Sequence, residues 1–148
     1  MSDMQLLIID DEERFVNTTQ ALLERKGVRT HVATNGTDAM QVLEKERVDV
    51  VVLDIKMPGL DGIETLRVIK KRYPLVEVIM LTGHASAETA VEGMSLGAFD
   101  YLMKPCDVEK LLEKAEAAYE KKSAEAEKAR KEKIDKIISD PLEALKKG

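Results

Sequence analysis

Tryptophan is absent and aromatic residues make up only 3% of the chain, so the sequence offers no platform on which nucleic-acid bases would stack. Positive charge is also short: the 23 Lys and Arg are outnumbered by 28 Asp and Glu, for a net charge of −5. That balance argues against DNA as the main partner, because phosphate binding needs a basic surface. Cys106 is the single cysteine; it excludes an internal disulfide and suits a reducing cytoplasm. No basic segment precedes an apolar core at the amino terminus, and no apolar run approaches the roughly 18 residues of a membrane span. The expectation is a cytoplasmic protein with no membrane and no DNA among its partners. What is present is 148 residues with 44% hydrophobic content, enough for one domain with a proper core and an appendage.

The chain turns on residues 48–62, VDVVVLDIKMPGLDG. Residues 50–53 read as a strand buried on both faces, because β-branched residues dominate and polar alternation is missing. Asp54 then stands at the carboxyl end of that strand. In an open parallel sheet this is where ligands bind.

Four similar units surround it. A first strand over 4–9 ends in Asp10, Asp11, Glu12 and Glu13, and a helix follows to about Lys26, with Gly27 as its C′ residue. Residues 28–33 form a more polar strand suited to a sheet edge. A helix over 37–46 follows it, with Thr37 as the candidate N-cap. After the opening stretch, Asp61-Gly62 precedes a helix with Ile63, Leu66, Val68 and Ile69 as its apolar residues, stopped by Tyr73-Pro74. A fourth strand over 76–81 leads to Thr82-Gly83-His84, and Ser86 can cap a helix over 87–96. A fifth strand over 98–103 ends at Lys104-Pro105, and Asp107 caps the last helix. Met40, Met80, Met94 and Met103 are expected to fill the core, and Cys106 to be a small buried or half-buried residue. Strict strand–helix alternation predicts an α/β protein with a doubly wound five-stranded parallel sheet. Fold rules give the flavodoxin-like order 2-1-3-4-5, in which the first and third strands adjoin at the switch point.

On that order, the residues just past the strand ends meet along one edge: Asp10 and Asp11, Asp54, Thr82 and Lys104. Three close carboxylates repel one another, and a hard divalent cation such as Mg²⁺ relieves the repulsion. A hydroxyl and an ammonium beside them suit the stabilisation of phosphoryl oxygens, and a carboxylate can act as the nucleophile.

These residues resemble the receiver domain of bacterial two-component response regulators, over about residues 3–120. The resemblance implies that Asp54 is the phosphoacceptor and that Thr82 and Lys104 contact the phosphoryl group. It implies that Asp10, Asp11, Asp54 and the backbone carbonyl of Lys56 hold Mg²⁺. Tyr101 falls at the aromatic switch position, and a cis bond is expected before Pro105. Lys56 and His84, two residues beyond Asp54 and Thr82, are positions at which phosphoryl lifetime is tuned. The donor would be a sensor histidine kinase or a histidine phosphotransfer protein, the recipient a downstream protein that the sequence does not identify. The face of the fourth helix, fifth strand and fifth helix would be the output surface.

Residues 121–148 form a tail. Up to Lys136 the composition is that of a helix former, without Gly or Pro, so the fifth helix is expected to extend beyond the domain. Between 123 and 133 the only apolar side chains are alanines, which makes a solvated spacer and no strong heptad seam. Ile134, Ile137 and Ile138 then form a stripe, and Asp140-Pro141 with Glu143 signals a last short helix carrying Leu142 and Leu145. Folding back on the receiver, pairing with a second copy as a homodimer, and docking on a partner would each cover these side chains. The spacer favours a contact outside the chain's own receiver.

The reading is a stand-alone response regulator, since about 28 residues after the receiver are too few for an output module. A phosphorelay shuttle and a scaffold acting through the tail are the alternatives. An aspartate-nucleophile phosphatase would need a second aspartate two positions after Asp54, where Lys56 stands, so the expectation is a phosphoacceptor and not an enzyme. A flavin site is disfavoured by the acidic first loop.

Overall fold

The computed structural model describes residues 3–57, 60–83 and 87–139. In chain order the elements are β1 (Gln5–Ile9), α1 (Glu13–Arg25), β2 (Arg29–Ala33), α2 (Gly36–Lys45), β3 (Val50–Asp54), β4 (Lys56–Met57), β5 (Leu60–Asp61), α3 (Gly62–Arg72), β6 (Glu77–Thr82), α4 (Ala87–Ser95), β7 (Asp100–Met103) and α5 (Val108–Ser139). Five strands pair in parallel in the order β2-β1-β3-β6-β7, the doubly wound order expected from the sequence. The short antiparallel pair β4–β5 lies within the loop after Asp54 and was not foreseen.

Two-residue alternation explains why the central strands are apolar throughout. Leu7, Ile9, Val51, Leu53, Val78 and Met80 face one layer with Ala39, Leu43, Ile63, Leu66 and Ile69 from α2 and α3. Leu6, Ile8, Val50, Val52, Ile79 and Leu81 face the other, with Val16 and Leu23 from α1 and Leu111, Ala115 and Ala118 from α5. Successive side chains point to opposite faces, so helices on both sides confine the polar residues of β3 and β6 to the strand ends, at Asp54, Glu77 and Thr82.

Local chemistry sets the helix ends. Gly27 follows α1 with φ of +85°, a conformation that costs glycine nothing. Asp107 Oδ1 accepts the Lys110 N–H at 2.8 Å, as expected of the cap of α5. The cap of α2 is Asn35, not Thr37: Asn35 Oδ1 accepts the Asp38 N–H at 2.8 Å and the helix begins at Gly36. The methionine expectation holds for Met80 but fails for Met94 and Met103, which are exposed. β7 is an edge strand, so Leu102 faces the core while Tyr101 and Met103 face away.

α5 runs unbroken for 32 residues. It is held at the amino-terminal edge of the sheet by two buried carboxylates, Asp49 and Glu77. Asp49 takes Lys122 Nζ on one oxygen at 2.6 Å and the Gln5 N–H on the other at 2.8 Å. Glu77 lies between Lys70 at 3.8 Å and Lys121 at 3.5 Å. Beyond this clamp the helix is largely exposed, including Ile134, Ile137 and Ile138. The short helix expected after Asp140 lies outside the described residues.

Candidate functional site

Strand register carries the candidate residues to one edge. Ile9 pairs with Leu53, so Asp10 and Asp54 each follow one member of a pair. Asp54 pairs with Leu81, Thr82 with Met103, and the Lys104 N–H donates to the Thr82 carbonyl at 2.8 Å. Hydrogen bonding thus continues one residue past the strands and fixes the backbone from which each side chain leaves.

Asp10 is fully buried, Asp54 and Thr82 nearly so, and Asp11 is exposed. Carboxylate oxygens of Asp10, Asp11 and Asp54 lie within 4.8 Å of one another. That is close enough for one small cation to be shared among the three side chains. The donor set, all carboxylate oxygen, also fits a hard cation.

Lys104 supplies the local positive charge. Its Nζ is 2.5 Å from Asp10 Oδ2, 3.6 Å from Glu12 and 3.9 Å from Asp54. Desolvation alone would lower the pKa of this ammonium, but the hydrogen bond and charge of Asp10, with Asp54 and Glu12 behind them, outweigh it and raise the pKa. Asp11 is also shifted upward, by desolvation first and then by the hydrogen bond and charge of Asp10. Asp10 Oδ1 accepts the Glu12 N–H at 3.0 Å, which pins the acidic loop.

The structure therefore brings together Asp10, Asp11, Asp54, Thr82 and Lys104. Tyr101 stands outside the cluster and is 41% exposed, and the bond before Pro105 is cis. Lys56 belongs to β4, and His84 lies outside the described residues. Sequence reasoning missed two neighbours of Lys104, Glu12 and Phe15; the Lys104 ammonium lies 4.7 Å from the centre of the Phe15 ring. Both precede or open α1, where an acid and an apolar residue have ordinary helical explanations. Beside the site, a groove of about 920 Å³ between α1 and α5 is lined by Phe15, Leu22, Pro105, Cys106 and Val108.

The chain is similar to known proteins in sequence and in fold. The sequence model of the response regulator receiver domain matches residues 6–116. An NtrX-like response regulator of Rickettsia typhi is 40% identical over 137 residues, 91% of this chain and 28% of that protein. The transcriptional regulatory protein ZraR of Klebsiella oxytoca is 41% identical over 108 residues, 73% of this chain and 24% of that protein. The chain thus spans about a quarter of the length of these relatives. Among solved structures, a CheY-like receiver domain protein from Methanospirillum hungatei superposes with a TM-score of 0.79 at 32% identity, covering 84% of this chain and 99% of that one. The receiver domain of NtrX from Brucella abortus does so with a TM-score of 0.73 at 34% identity, covering 78% and 98%. Among the described residues, no helix is long and apolar enough to cross a membrane.

Proposed function

Because the chain belongs to the response regulator receiver domain family, we propose that it accepts a phosphoryl group on Asp54 and transmits the event by changing its protein contacts. The observation that carries this reading is the convergence of Asp10, Asp11 and Asp54 within 4.8 Å, with Lys104 3.9 Å from Asp54. Asp10, Asp11, Asp54 and the Lys56 carbonyl would hold Mg²⁺, which when bound supplies charge neutralisation for the phosphoryl oxygens. An Asp54 oxygen attacks phosphorus while the bond from phosphorus to the donor's histidine nitrogen breaks and its electron pair returns to the imidazole. Lys104 and Thr82 donate to the transferred oxygens. The donor is a histidine kinase or a histidine phosphotransfer protein, and the groove between α1 and α5 offers it an apolar seat next to Lys104. The product is a modified protein, not a released one, so the chain is a phosphoacceptor and not a turnover enzyme. A cytoplasmic location goes with this reading, supported by the free thiol of Cys106.

Phosphorylation replaces one negative charge by about −1.5 to −2 and adds strong acceptors. Thr82 moves toward them and Tyr101 turns inward. Their placement on adjacent strands, Thr82 buried and Tyr101 exposed, supports that coupling. Val91, Met94, Tyr101 and Met103 are exposed on α4 and β7, an apolar face suited to a downstream partner. Lys56 and His84 tune phosphoryl lifetime. Residues 3–120 act as the receiver and 121–148 as a tail whose isoleucine stripe pairs with a second copy. Loss of dimer mass on truncation at Ala129 tests the pairing; an unchanged mass refutes it. Incubation with acetyl phosphate and Mg²⁺ followed by intact mass tests the central reading. Wild type gains one phosphoryl group and Asp54→Asn does not; no gain in wild type overturns it.

A further inference from the structure

Lys104 has a partner that no carboxylate chemistry explains. Its ammonium sits 4.7 Å from the centre of the Phe15 ring, inside the roughly 6 Å range of a cation–π contact. Phe15 lies in the first turn of α1 and, partly buried, packs against the core layer shared by α1 and α5. The ammonium is held at Asp10 at 2.5 Å, while Glu12, 68% exposed, draws it toward water from 3.6 Å.

We propose that Phe15 is a positioning residue for Lys104, holding the ammonium over the acidic edge through the face of its ring. This rests on the reading of Asp54 as phosphoacceptor. The choice of a ring has a chemical reason. An ammonium has three N–H donors, and a carboxylate partner takes one or more of them. An aromatic face attracts the charge but has no lone pair to claim a hydrogen bond strongly. Phe15 therefore steadies Lys104 while leaving donors for Asp10 and for an oxygen arriving at Asp54, 3.9 Å away. Glu12 would attract the same ammonium only by competing for those donors.

The test separates ring electrostatics from packing. 4-Fluoro- and 3,4,5-trifluorophenylalanine, placed at position 15 alone, weaken the negative ring face with little change of shape. Phe15→Leu removes the ring, and Phe15→Tyr keeps it. Rates are measured with acetyl phosphate and Mg²⁺, which bypasses protein docking in the neighbouring groove. Phe15→Leu should slow phosphorylation by about fivefold, the effect of a partly exposed cation–π contact. The fluorinated proteins should fall in order between wild type and Leu at unchanged thermal midpoints, and Phe15→Tyr should restore the wild-type rate. Fluorinated proteins reacting at the wild-type rate, with or without slowing by Leu, would overturn the proposal. Failure of wild type itself to gain a phosphoryl group would instead overturn the assignment of Asp54, and this inference with it.

Discussion

Gly62 opens α3 directly behind the loop that follows Asp54. A Cβ built there would stand 2.5 Å from the Ile55 Cα and carbonyl oxygen and 2.7 Å from the Asp54 carbonyl oxygen. Relaxed contacts between carbons are about 3.5 to 4.0 Å, so Gly62→Ala requires the two backbones to separate by about 1 Å. No side chain can absorb this by changing rotamer. The Gly62 N–H also donates to the Ile55 carbonyl at 3.1 Å, and that bond would be stretched. Overpacking costs about 1 to 3 kcal/mol, and with backbone on both sides the upper end applies, a large share of a total stability of about 5 to 15 kcal/mol. Chemical denaturation should show that loss, and a 1 Å displacement beside Asp54, the proposed phosphoacceptor, should slow phosphoryl uptake by about 100-fold. Two other glycines calibrate the experiment. At Gly93 the obstructing atoms are the Met80 Sδ and Cε at 2.0 and 2.5 Å; this flexible tip can swing aside, and alanine gains about 1 kcal/mol of helix propensity. Gly93→Ala should therefore be mild. Gly83 has nothing within 4 Å of a built Cβ, and Gly83→Ala should stay within about 0.5 kcal/mol of wild type. Equal stability for Gly62→Ala and Gly83→Ala would refute the reasoning.

Asp11 gives a pH signature. Its pKa is higher in the folded protein than in a free chain, so the native state holds more protons between the two values, and stability should fall as pH rises through that window in metal-free protein. Asp11→Asn should lessen the fall when thermal midpoints are compared across acidic pH. At the opposite edge, a double-mutant cycle of Asp49→Asn and Lys122→Met should return a coupling of about 1 to 3 kcal/mol. A coupling below about 0.5 kcal/mol would mean that the Asp49–Lys122 pair does not hold α5, leaving packing and the Glu77–Lys121 contact. Burial, and then the Asp107 charge, push the Cys106 thiol up. Alkylation by iodoacetamide should therefore be slow at neutral pH and rise later than for a free thiol; reaction at the rate of an unhindered peptide would contradict that.

The sheet and its functional edge were legible because strand ends, turn residues and acid placement all pointed the same way, most clearly in residues 50–54. What escaped depended on geometry between distant elements. Asp49 and Glu77 precede or begin apolar strands, where nothing in the sequence marks them, yet both are buried against lysines from α3 and α5. Met103 has the hydrophobicity of a core residue, but an edge strand exposes alternate residues and leaves it in solvent. Thr37 is a good capping type, but Asn35, two residues earlier, reaches the N–H first. Phe15 fits the apolar stripe of α1, and only the folded position of Lys104 gives it a second role.

The long final helix begins near the edge that carries Asp54 and passes the Asp49–Lys122 contact at the far edge before leaving the domain. That contact makes a fulcrum. From Lys122 to Ser139 the rod rises about 25 Å at 1.5 Å per residue, so a 5° tilt about the fulcrum carries its tip by about 2 Å. A repacking of the α5 base too small to disturb the core would still be amplified at the exposed Ile134, Ile137 and Ile138 in its last turns.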